Sequence, residues 1–424
     1  MKRLRSEEGI MLVEVLVTAV LVVIVALGMF SAFDGASATS GTLKAQAVAA
    51  GVAQEEQERL RSLKLTDLSN YRRDDEPILR ANVNYLVDSR AEWINTESGT
   101  ADCAAADTAF DLLKITSTVT WPDIGTKAPV RSVSLVAPPV GAFGTDQGSL
   151  AVHVRNRTGS TGVANLPVTL TGPRGYTDST NDIGCVVWGY LPAGSGYNVA
   201  FSRPGWVDFQ GNQNVSKAVG VTGEATNTVA FDYDEGGGAV VSVETRRLGS
   251  ATPLTHPQAT SVLFSHPSLA APGTRAFTSA TPVASFATGK VGFPFTSPYG
   301  VFTGDCLANR PATGLPTVAI TPGGSATVTV QNPSLDPRIR RGATDQTGAT
   351  IKFTSACGTV YTRGPTISDG RLATTQLGLP FGDYTVCASV GGRKLTQTGR
   401  ANTAVAGTQW DMDLDGSGST TGTC

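Results

Sequence analysis

Charged side chains and histidines are scarce in this chain, and their scarcity excludes several classes of function. Asp, Glu, Lys and Arg make up 16% of the 424 residues, where a soluble protein has roughly 25%. The formal net charge of −2 indicates no basic surface of the kind that binds nucleic acid, so we expect no nucleic-acid partner. The histidines are scattered and lack the H-E-x-x-H spacing of zinc enzymes: His153, His256 and His266.

Familiar catalytic and cofactor motifs are also missing. The sequence has no G-x-S-x-G elbow, no P-loop and no dinucleotide fingerprint, so we predict a protein that is not an enzyme and has no cofactor. An enzyme built from residues far apart in the sequence stays an alternative. Gly (48) and Pro (23) are by contrast plentiful. Together with abundant Thr, Ser and Val beyond residue 70, they favour short strands and turns.

The N-terminus contains a long hydrophobic run. Residues 1–9 are polar and partly basic, and residues 10–33 then contain a single charge, Glu14. A helix of these 24 residues is about 36 Å long, more than the roughly 30 Å of a bilayer core. Because basic flanks stay in the cytoplasm, we expect a single membrane pass with a cytoplasmic N-terminus and the remaining chain outside.

The string Gly9-Ile10-Met11-Leu12-Val13-Glu14 resembles the processing site of type IV prepilins. In that family a prepilin peptidase cuts after the glycine and methylates the new N-terminus. The resemblance implies cleavage between Gly9 and Ile10 and N-methylation of Ile10. A carboxylate in an apolar filament core needs a cation, and the freed amine of a neighbouring subunit supplies one. We therefore expect Glu14 to be a filament assembly contact.

Two other interpretations of the N-terminus stay open. A secretory signal peptide also begins with basic residues, and Ala36-Ser37-Ala38 resembles its cleavage site, although its apolar region would be shorter, about 7–15 residues, and uncharged. A plain signal anchor explains the length of the run but not the spacing of Gly9 and Glu14. Either would give a surface binding protein that never enters a filament.

The helical pattern continues beyond the membrane segment, and we predict a spine helix over residues 10–70. Residues 42–68 are rich in good helix formers, and Leu60, Leu63 and the alanines make one apolar face. Part of this stretch, AQEEQERLRSLKLTDL, also resembles minor pilins of the PilV-like kind. The charged residues are expected on the opposite, solvated face: Glu55, Glu56, Glu58, Arg59 and Arg61.

Residues 71–140 are predicted to form a small β head. The strand-like stretches are 83–87, 112–120 and 130–136, where apolar residues roughly alternate with Thr and Ser. Pilin heads pack a small antiparallel sheet on the spine helix, and the resemblance implies the same here. The sheet would cover the apolar face of the spine.

Beyond residue 146 a corner motif recurs, in which a tyrosine follows a turn containing proline. The copies lie at 189–199, 293–302 and 379–387, and the first resembles a transthyretin-like or carboxypeptidase-regulatory-like β-sandwich. We expect each tyrosine to pack its ring and to hydrogen-bond the backbone. The recurrence predicts tandem β-sandwich domains, followed by a flexible tail: 146–234, 236–332 and 345–415, then 416–424.

The cysteines are widely spaced and include no C-x-x-C pair: Cys103, Cys185, Cys306, Cys357, Cys387 and Cys424. An even number on the outer side of a membrane is typical of disulfides. Cys357 and Cys387 flank strands that are expected to be neighbours, so we predict a disulfide between them.

A cluster of acids near the C-terminus matches half of a calcium loop. Asp411, Asp413 and Asp415 precede Gly416 in the pattern D-x-D-x-D-G, but the twelfth position is Gly422, where calcium loops have a bidentate Glu. We therefore favour a solvated strand end and predict no metal site.

Taken together, the sequence predicts an α+β then all-β chain: a membrane-spanning spine, a pilin-like sheet and appended sandwiches. A shaft subunit is disfavoured because a long passenger on every subunit would crowd the filament. We expect a minor, tip-located subunit that is stored in the membrane and displayed at the cell surface. Its expected partners are prepilin peptidase, other pilin subunits, the membrane and a surface ligand. A pseudopilin of a type II secretion system and a signal-anchored binding protein are the alternatives.

Overall fold

The computed structural model describes residues 8–95, 99, 103, 112–122, 124–139, 144–157, 161–254, 259–402 and 405–424. For residues 8–12 and 38 it describes the helical backbone alone. The predicted leader therefore lies outside the described residues up to residue 7. The chain divides into two compact units: Met1–Ala151, Val187–Ser195 and Gly220–Thr228 in unit 1, and Val152–Val186, Gly196–Val219 and Val229–Cys424 in unit 2.

One long helix, α1, runs from Glu8 to Arg61, and a single turn, α2, follows from Leu65 to Leu68. The second half of α1 has buried side chains three and four residues apart, the spacing of one helix face. They are Ala49, Val52, Ala53, Glu56, Gln57 and Leu60. The spine predicted over residues 10–70 is one helix only as far as Arg61 and is interrupted before α2. The predicted order of a long apolar helix followed by β-sheets is confirmed.

The head is an antiparallel sheet that packs on this face of α1. Its strands stand in the order β1-β2-β3-β4, and Tyr85, Val87, Val119 and Trp121 share a core with Ala49, Val52 and Ala53. The strand bounds are β1 Arg72–Arg80, β2 Val83–Ile94, β3 Leu112–Thr120 and β4 Val130–Val136. β3 and β4 have the predicted bounds, β2 extends the predicted stretch 83–87 to Ile94, and β1 was not predicted.

Glu56 does not lie on the solvated face of α1, which corrects the prediction. Its side chain is 3% exposed and accepts hydrogen bonds from Arg59 at 2.7 and 2.8 Å. Burial by itself raises the pKa of the Glu56 carboxyl, but the hydrogen bonds from Arg59, the nearby hydroxyl of Ser89 and the charges of Arg59 and Arg73 outweigh it and hold the pKa below its usual value. The carboxylate is therefore a buried, ion-paired contact of the helix.

Gln57 fixes the same turn of α1 to the sheet. Its amide nitrogen, Nε2, donates to Ser117 Oγ at 2.9 Å and to the Ser132 carbonyl at 3.1 Å. Ser134 Oγ donates to Gln57 Oε1 at 2.5 Å. Since buried polar groups are costly unless paired, this set of bonds specifies one register of helix against sheet.

The corner at Gly189 also contacts the head within unit 1. Asn70 Nδ2 donates to the Gly189 carbonyl at 3.0 Å, and the Gly189 amide donates to Asn70 Oδ1 at 3.2 Å. A Cβ atom at Gly189 would lie 2.5 Å from Trp93 Nε1. The close approach of the indole therefore requires glycine at this position.

The chain beyond the head consists of short strands, here divided by sequence into a first, a second and a third β group. The first group is β5 Gln147–Arg155, β6 Pro167–Thr171, β7 Tyr176–Ser179, β8 Cys185–Pro192, β9 Gly194–Ser202, β10 Trp206–Val207, β11 Asn214–Val221, β12 Thr226–Asp232 and β13 Asp234–Glu235. Its sheets have the orders β11-β9-β6-β7, β12-β5-β8 and β10-β13.

The second β group forms two sheets, β17-β14-β20 and β16-β15-β18-β19, which share one buried core. Val241, Val330, Val262, Phe264 and Val301 belong to that core, so the group is a β-sandwich. Its strands are β14 Gly238–Glu244, β15 Ala259–Ser265, β16 Thr274–Val283, β17 Ser285–Ala287, β18 Tyr299–Thr303, β19 Thr317–Val318 and β20 Ser325–Gln331, with a 3₁₀ turn at Leu307–Asn309.

The third β group forms the sheets β22-β21-β27 and β24-β23-β25-β26-β28 around a second core that contains Ile339, Met412, Ile351, Phe353 and Val386. Its strands are β21 Leu335–Arg341, β22 Thr344–Asp345, β23 Thr350–Ser355, β24 Val360–Arg363, β25 Gly382–Val390, β26 Arg393–Asn402, β27 Thr408–Asp413 and β28 Thr420–Thr421, with a 3₁₀ turn at Thr374–Gln376.

Two predicted boundaries of the third group differ from the structure. The predicted start at residue 345 leaves out β21, which pairs in parallel with β27. Residues 416–424 are not a free tail, because β28 pairs with β26 and Cys424 is disulfide-bonded to Cys387. Strand pairing and a covalent bond hold the segment that the sequence had suggested to be flexible.

We predict that Glu56→Gln lowers the free energy of unfolding of the head by about 2 kcal/mol near neutral pH, because hydrogen bonds to a charged group contribute roughly 1.5–3 kcal/mol. Since the pKa of Glu56 is lowered in the folded state, its contribution is present above the unfolded pKa of about 4.3 and is lost as pH falls through the folded pKa. Calorimetry of the full chain in detergent at about pH 7 and about pH 3 measures both effects.

The matched control is Glu58→Gln. Glu58 lies two residues further along α1, and its side chain is 65% exposed. An exposed ion pair contributes roughly 0–1 kcal/mol, so this variant should unfold much like the parent chain. Equal destabilisation by both variants, or an effect of Glu56→Gln that is undiminished at low pH, would contradict the buried contact.

Candidate functional site

The first half of α1 exposes a continuous apolar surface. Within the described chain α1 contains a stretch long and apolar enough to cross a membrane. Its exposed large apolar side chains are Val13, Val15, Leu16, Val17, Val20, Leu21, Val22, Val23, Ile24, Val25, Leu27, Met29, Phe30 and Phe33. A surface of this size in a soluble protein marks a membrane or protein contact.

Glu14 lies on this apolar half of α1, and its side chain is exposed. The hydroxyl of Thr18 donates to the Glu14 carbonyl at 2.8 Å, one turn further on. Gly9 and Ile10 belong to the first turns of α1, where the backbone alone is described. The cleavage site and the methylated residue therefore stay predictions.

The predicted Cys357–Cys387 disulfide is wrong. Cys306 is bonded to Cys357 and Cys387 is bonded to Cys424, with Cα–Cα distances of 6.1 and 5.9 Å. Cys103 and Cys185 are also disulfide-bonded. All six cysteines of the chain are thus oxidised, as expected for an extracellular protein.

Strand register explains why the predicted pair does not form. β23 and β25 are indeed neighbours, but Cys387 of β25 stands opposite Lys352. β23 continues for three more residues, to Ser355, before Cys357 is reached. This is about 10 Å of strand at ~3.3 Å per residue, beyond the roughly 4.4–6.8 Å between the Cα atoms of a disulfide.

A groove of about 440 Å³ lies at one end of the second β group. Its lining is mostly apolar, with one charged side chain, Arg310, and its residues come from the ends of β15, β18 and β19 and from the loops between them: Ser265, His266, Pro267, Pro272, Gly273, Pro298, Gly300, Leu307, Arg310, Leu315 and Thr317. This size and composition are those of many ligand sites.

His266 is a structural part of the groove floor and not a poised base. Its ring stacks on Phe295 with centroids 3.8 Å apart. Nδ1 accepts a hydrogen bond from the Ser268 amide at 3.1 Å, and Nε2 lies 2.8 Å from Ser297 Oγ. Burial lowers the pKa of His266, against the hydrogen bond with Ser297. Both ring nitrogens are engaged by the protein itself. Of the other histidines, His256 lies outside the described residues.

The recurring tyrosines have the structural role that the corner motif predicted. Tyr299 OH donates to the Phe293 carbonyl at 2.8 Å and Tyr384 OH donates to the Pro380 carbonyl at 2.7 Å. Both side chains are buried, as is Tyr197 of the first corner. The motif therefore holds a turn against a core rather than forming a ligand site.

The acids of the half calcium loop are occupied by arginines and backbone amides. Asp413 Oδ1 accepts from the Gly342 amide at 2.8 Å and the Asp415 amide at 3.0 Å, and these two bonds hold the pKa of Asp413 below its usual value. Among the described residues no group of three or more His, Cys, Asp or Glu side chains is arranged to hold a metal. The other two acids form ion pairs at 3.3–3.4 Å: Asp411 with Arg340, and Asp415 with Arg341 and Arg393.

No known family model and no curated protein matches the chain. Some solved structures are distantly similar. The Bacillus anthracis TIE protein is 13% identical, with 81% of this chain and 74% of that chain covered and a TM-score of 0.21. GBS52, the minor pilin of Streptococcus agalactiae, is 11% identical, with coverages of 44% and 96% and a TM-score of 0.20.

The BcpA*(D312A) major pilin subunit of Bacillus cereus is 11% identical, with 57% of this chain and 88% of that chain covered and a TM-score of 0.18. Similarity at this level of identity and TM-score establishes neither a shared fold nor a shared function. The argument for function therefore depends on the chain's own residues.

We predict that proteolysis of the unreduced protein releases one cross-linked peptide pair containing Cys306 and Cys357 and another containing Cys387 and Cys424. These are the pairs in the structure, strand register keeps Cys357 away from Cys387, and mass spectrometry of the peptides identifies the pairing. Recovery of a Cys357–Cys387 peptide pair as the main species would contradict the register of β23 and β25.

We also predict that calcium leaves the thermal stability of the third β group unchanged, because its three acids already have cationic or amide partners. Melting curves with calcium and with a chelator should superimpose. A rise in melting temperature that the chelator reverses would mean that the ion displaces the arginines, since a ligand that binds the folded state stabilises it.

Proposed function

We propose that this chain is a processed subunit of a type IV pilus-like filament that displays extracellular β domains. A prepilin peptidase cleaves it between Gly9 and Ile10 and methylates the Ile10 amine. The subunit is then held in the filament through α1, with Glu14 as an assembly contact. The observation that carries the proposal is the uncovered apolar half of α1, with a single acid five residues after the glycine.

An uncovered apolar helix needs a partner at every stage. Burial contributes roughly 25 cal/mol per Å² of apolar surface, so the side chains from Val13 to Phe33 strongly favour lipid or other helices over water. The bilayer fits before assembly, with the N-terminus in the cytoplasm, and the α1 helices of other pilin subunits fit afterwards. Both partners are contacted by the same surface.

Glu14 gives this surface its specificity. A carboxylate among apolar side chains is costly unless a cation pairs with it. Cleavage after Gly9 creates such a cation at the Ile10 amine. Pairing of Glu14 with the amine of a neighbouring subunit would therefore link processing to assembly, because an uncut chain has no amine at that position.

The β groups make the subunit a minor one. Residues 147–421 contain the three β groups, and a passenger of that size on every subunit would crowd a shaft. A place at or near the tip avoids this crowding, and it would put the groove of the second β group within reach of a surface ligand. We propose adhesion as the use of the displayed domains.

The test is to express Gly9→Val and Glu14→Gln in the native cell and to follow length and filament incorporation. Gly9→Val should keep its leader, because a branched side chain blocks the cut. Glu14→Gln should be cut normally but enter filaments less, by about tenfold or more, since removing one partner of a buried ion pair costs roughly 3–5 kcal/mol.

Asp34→Asn is the matched control, because Asp34 is an exposed acid further along the same helix and should be neutral in both assays. Normal cleavage of Gly9→Val would contradict the proposal. Cleavage with incorporation into a secretion pseudopilus would favour the pseudopilin alternative, and an uncut native chain would favour the signal-anchored binding protein.

A further inference from the structure

A disulfide joins the second and third β groups to each other. Cys306 follows β18 of the second group, and Cys357 follows β23 of the third. The peptide chain also connects the groups, between Gln331 at the end of β20 and Leu335 at the start of β21. Two covalent links therefore cross one junction, and they enclose a loop with a sequence separation of 51.

Polar contacts surround the disulfide at this junction. Asn309, 2% exposed, donates from Nδ2 to the Phe381 carbonyl of the third group at 2.9 Å. Tyr361 OH donates to Asp305 Oδ2 at 2.6 Å. These bonds connect the segment around Cys306 to two places in the third group, β24 and the residue before β25, so the junction has side-chain contacts as well as the disulfide.

A buried ion pair reinforces a second point of the junction. Asp336 of β21 is fully buried, and Arg247, which follows β14, approaches it at 3.3 Å together with Arg371 at 3.3 Å. Breaking such a pair leaves an uncompensated buried charge. The two groups therefore resist separation through non-covalent contacts as well as through the disulfide.

Each of the two groups contains one parallel strand pair, and each pair includes a strand that borders the junction. β14 and β20, the first and last strands of the second group, are paired from Gly238↔Ser325 to Glu244↔Gln331. β21 and β27 of the third group are paired from Leu335↔Thr408 to Arg340↔Asp413. Tension that ran along the peptide chain from one group to the other would pass through β20 and β21 and would load the hydrogen bonds of both parallel pairs.

We propose that residues 238–424 work as a load-bearing arm, in which tension on the third β group enters the second through the Cys306–Cys357 bond. Residues 307–356, which contain β20 and β21, then stay outside the load path. The groups remain joined even when their non-covalent contacts break. This inference rests on the proposed function, because tension arises only in a chain that is anchored at one part and held by a ligand at another.

The experiment is single-molecule pulling of the full chain in detergent micelles, with handles on tags at its two ends. Three proteins are compared: the oxidised parent, Cys306→Ser with Cys357→Ser, and Cys387→Ser with Cys424→Ser. The last pair is the matched control, because its disulfide lies inside the third β group.

Removal of the Cys306–Cys357 bond should lengthen the fully extended chain by about 170 Å, from its separation of 51 residues at ~3.5 Å each. It should also add a low-force step in which the two groups part before either unfolds. The control should lengthen the chain by about 120 Å, from its separation of 37 residues, without a parting step.

The same steps at the same forces in the parent and in the Cys306→Ser, Cys357→Ser protein would overturn the inference, since the bond would then carry no load. Should that variant fold poorly, the folded Cys387→Ser, Cys424→Ser protein is pulled before and after reduction; the parting step should appear only after reduction, and its absence would overturn the inference. The assay does not involve N-terminal processing. Failure of cleavage after Gly9 would defeat the proposed filament role and leave the pulling result unaffected, and the reverse also holds.

Discussion

The apolar surface of α1 between Val13 and Phe33 is the constraint on which the rest of the molecule depends. No folded part of the described chain covers it, so only a bilayer or other helices can. Its single acid is Glu14, and a carboxylate among apolar groups is costly unless a cation pairs with it. Storage in a membrane and assembly with other helices are two solutions to this one requirement.

The second half of α1, by contrast, is covered by the protein itself. The head sheet buries its apolar face, and Glu56 and Gln57 hold the helix in one register through buried ion pairs and hydrogen bonds. The helix thus has one end that must leave the fold and one end that is fixed within it.

The sequence was informative where local periodicity decides structure. β3 and β4 have the bounds that alternation predicted, and the corner tyrosines bond the backbone as the motif implied. The strand β1, RRDDEPILR, was missed because it is a charged edge strand with little burial. Glu56 was predicted on the solvated face because glutamate is charged, although its spacing from Val52 and Leu60 puts it on the buried helix face.

The pairing of cysteines and strands that lie far apart in the sequence could not be predicted from the sequence. Cys357 follows β23 and Cys387 lies within the neighbouring strand β25, but register decides which sulfur atoms meet, and register depends on the whole sheet. The same holds for the parallel pair β21–β27, which joins residues far apart in the sequence and extends the third group past its predicted start. The predicted processing site is the reverse case: it rests on a local sequence pattern alone, and the structure describes only the backbone at Gly9 and Ile10.

The most direct measurement is the mass of the N-terminal peptide of the protein isolated from its native membrane or filament. The account predicts a chain that begins at Ile10 with a methylated amine. A chain that still begins at Met1, or one that begins after Ala38, would contradict it.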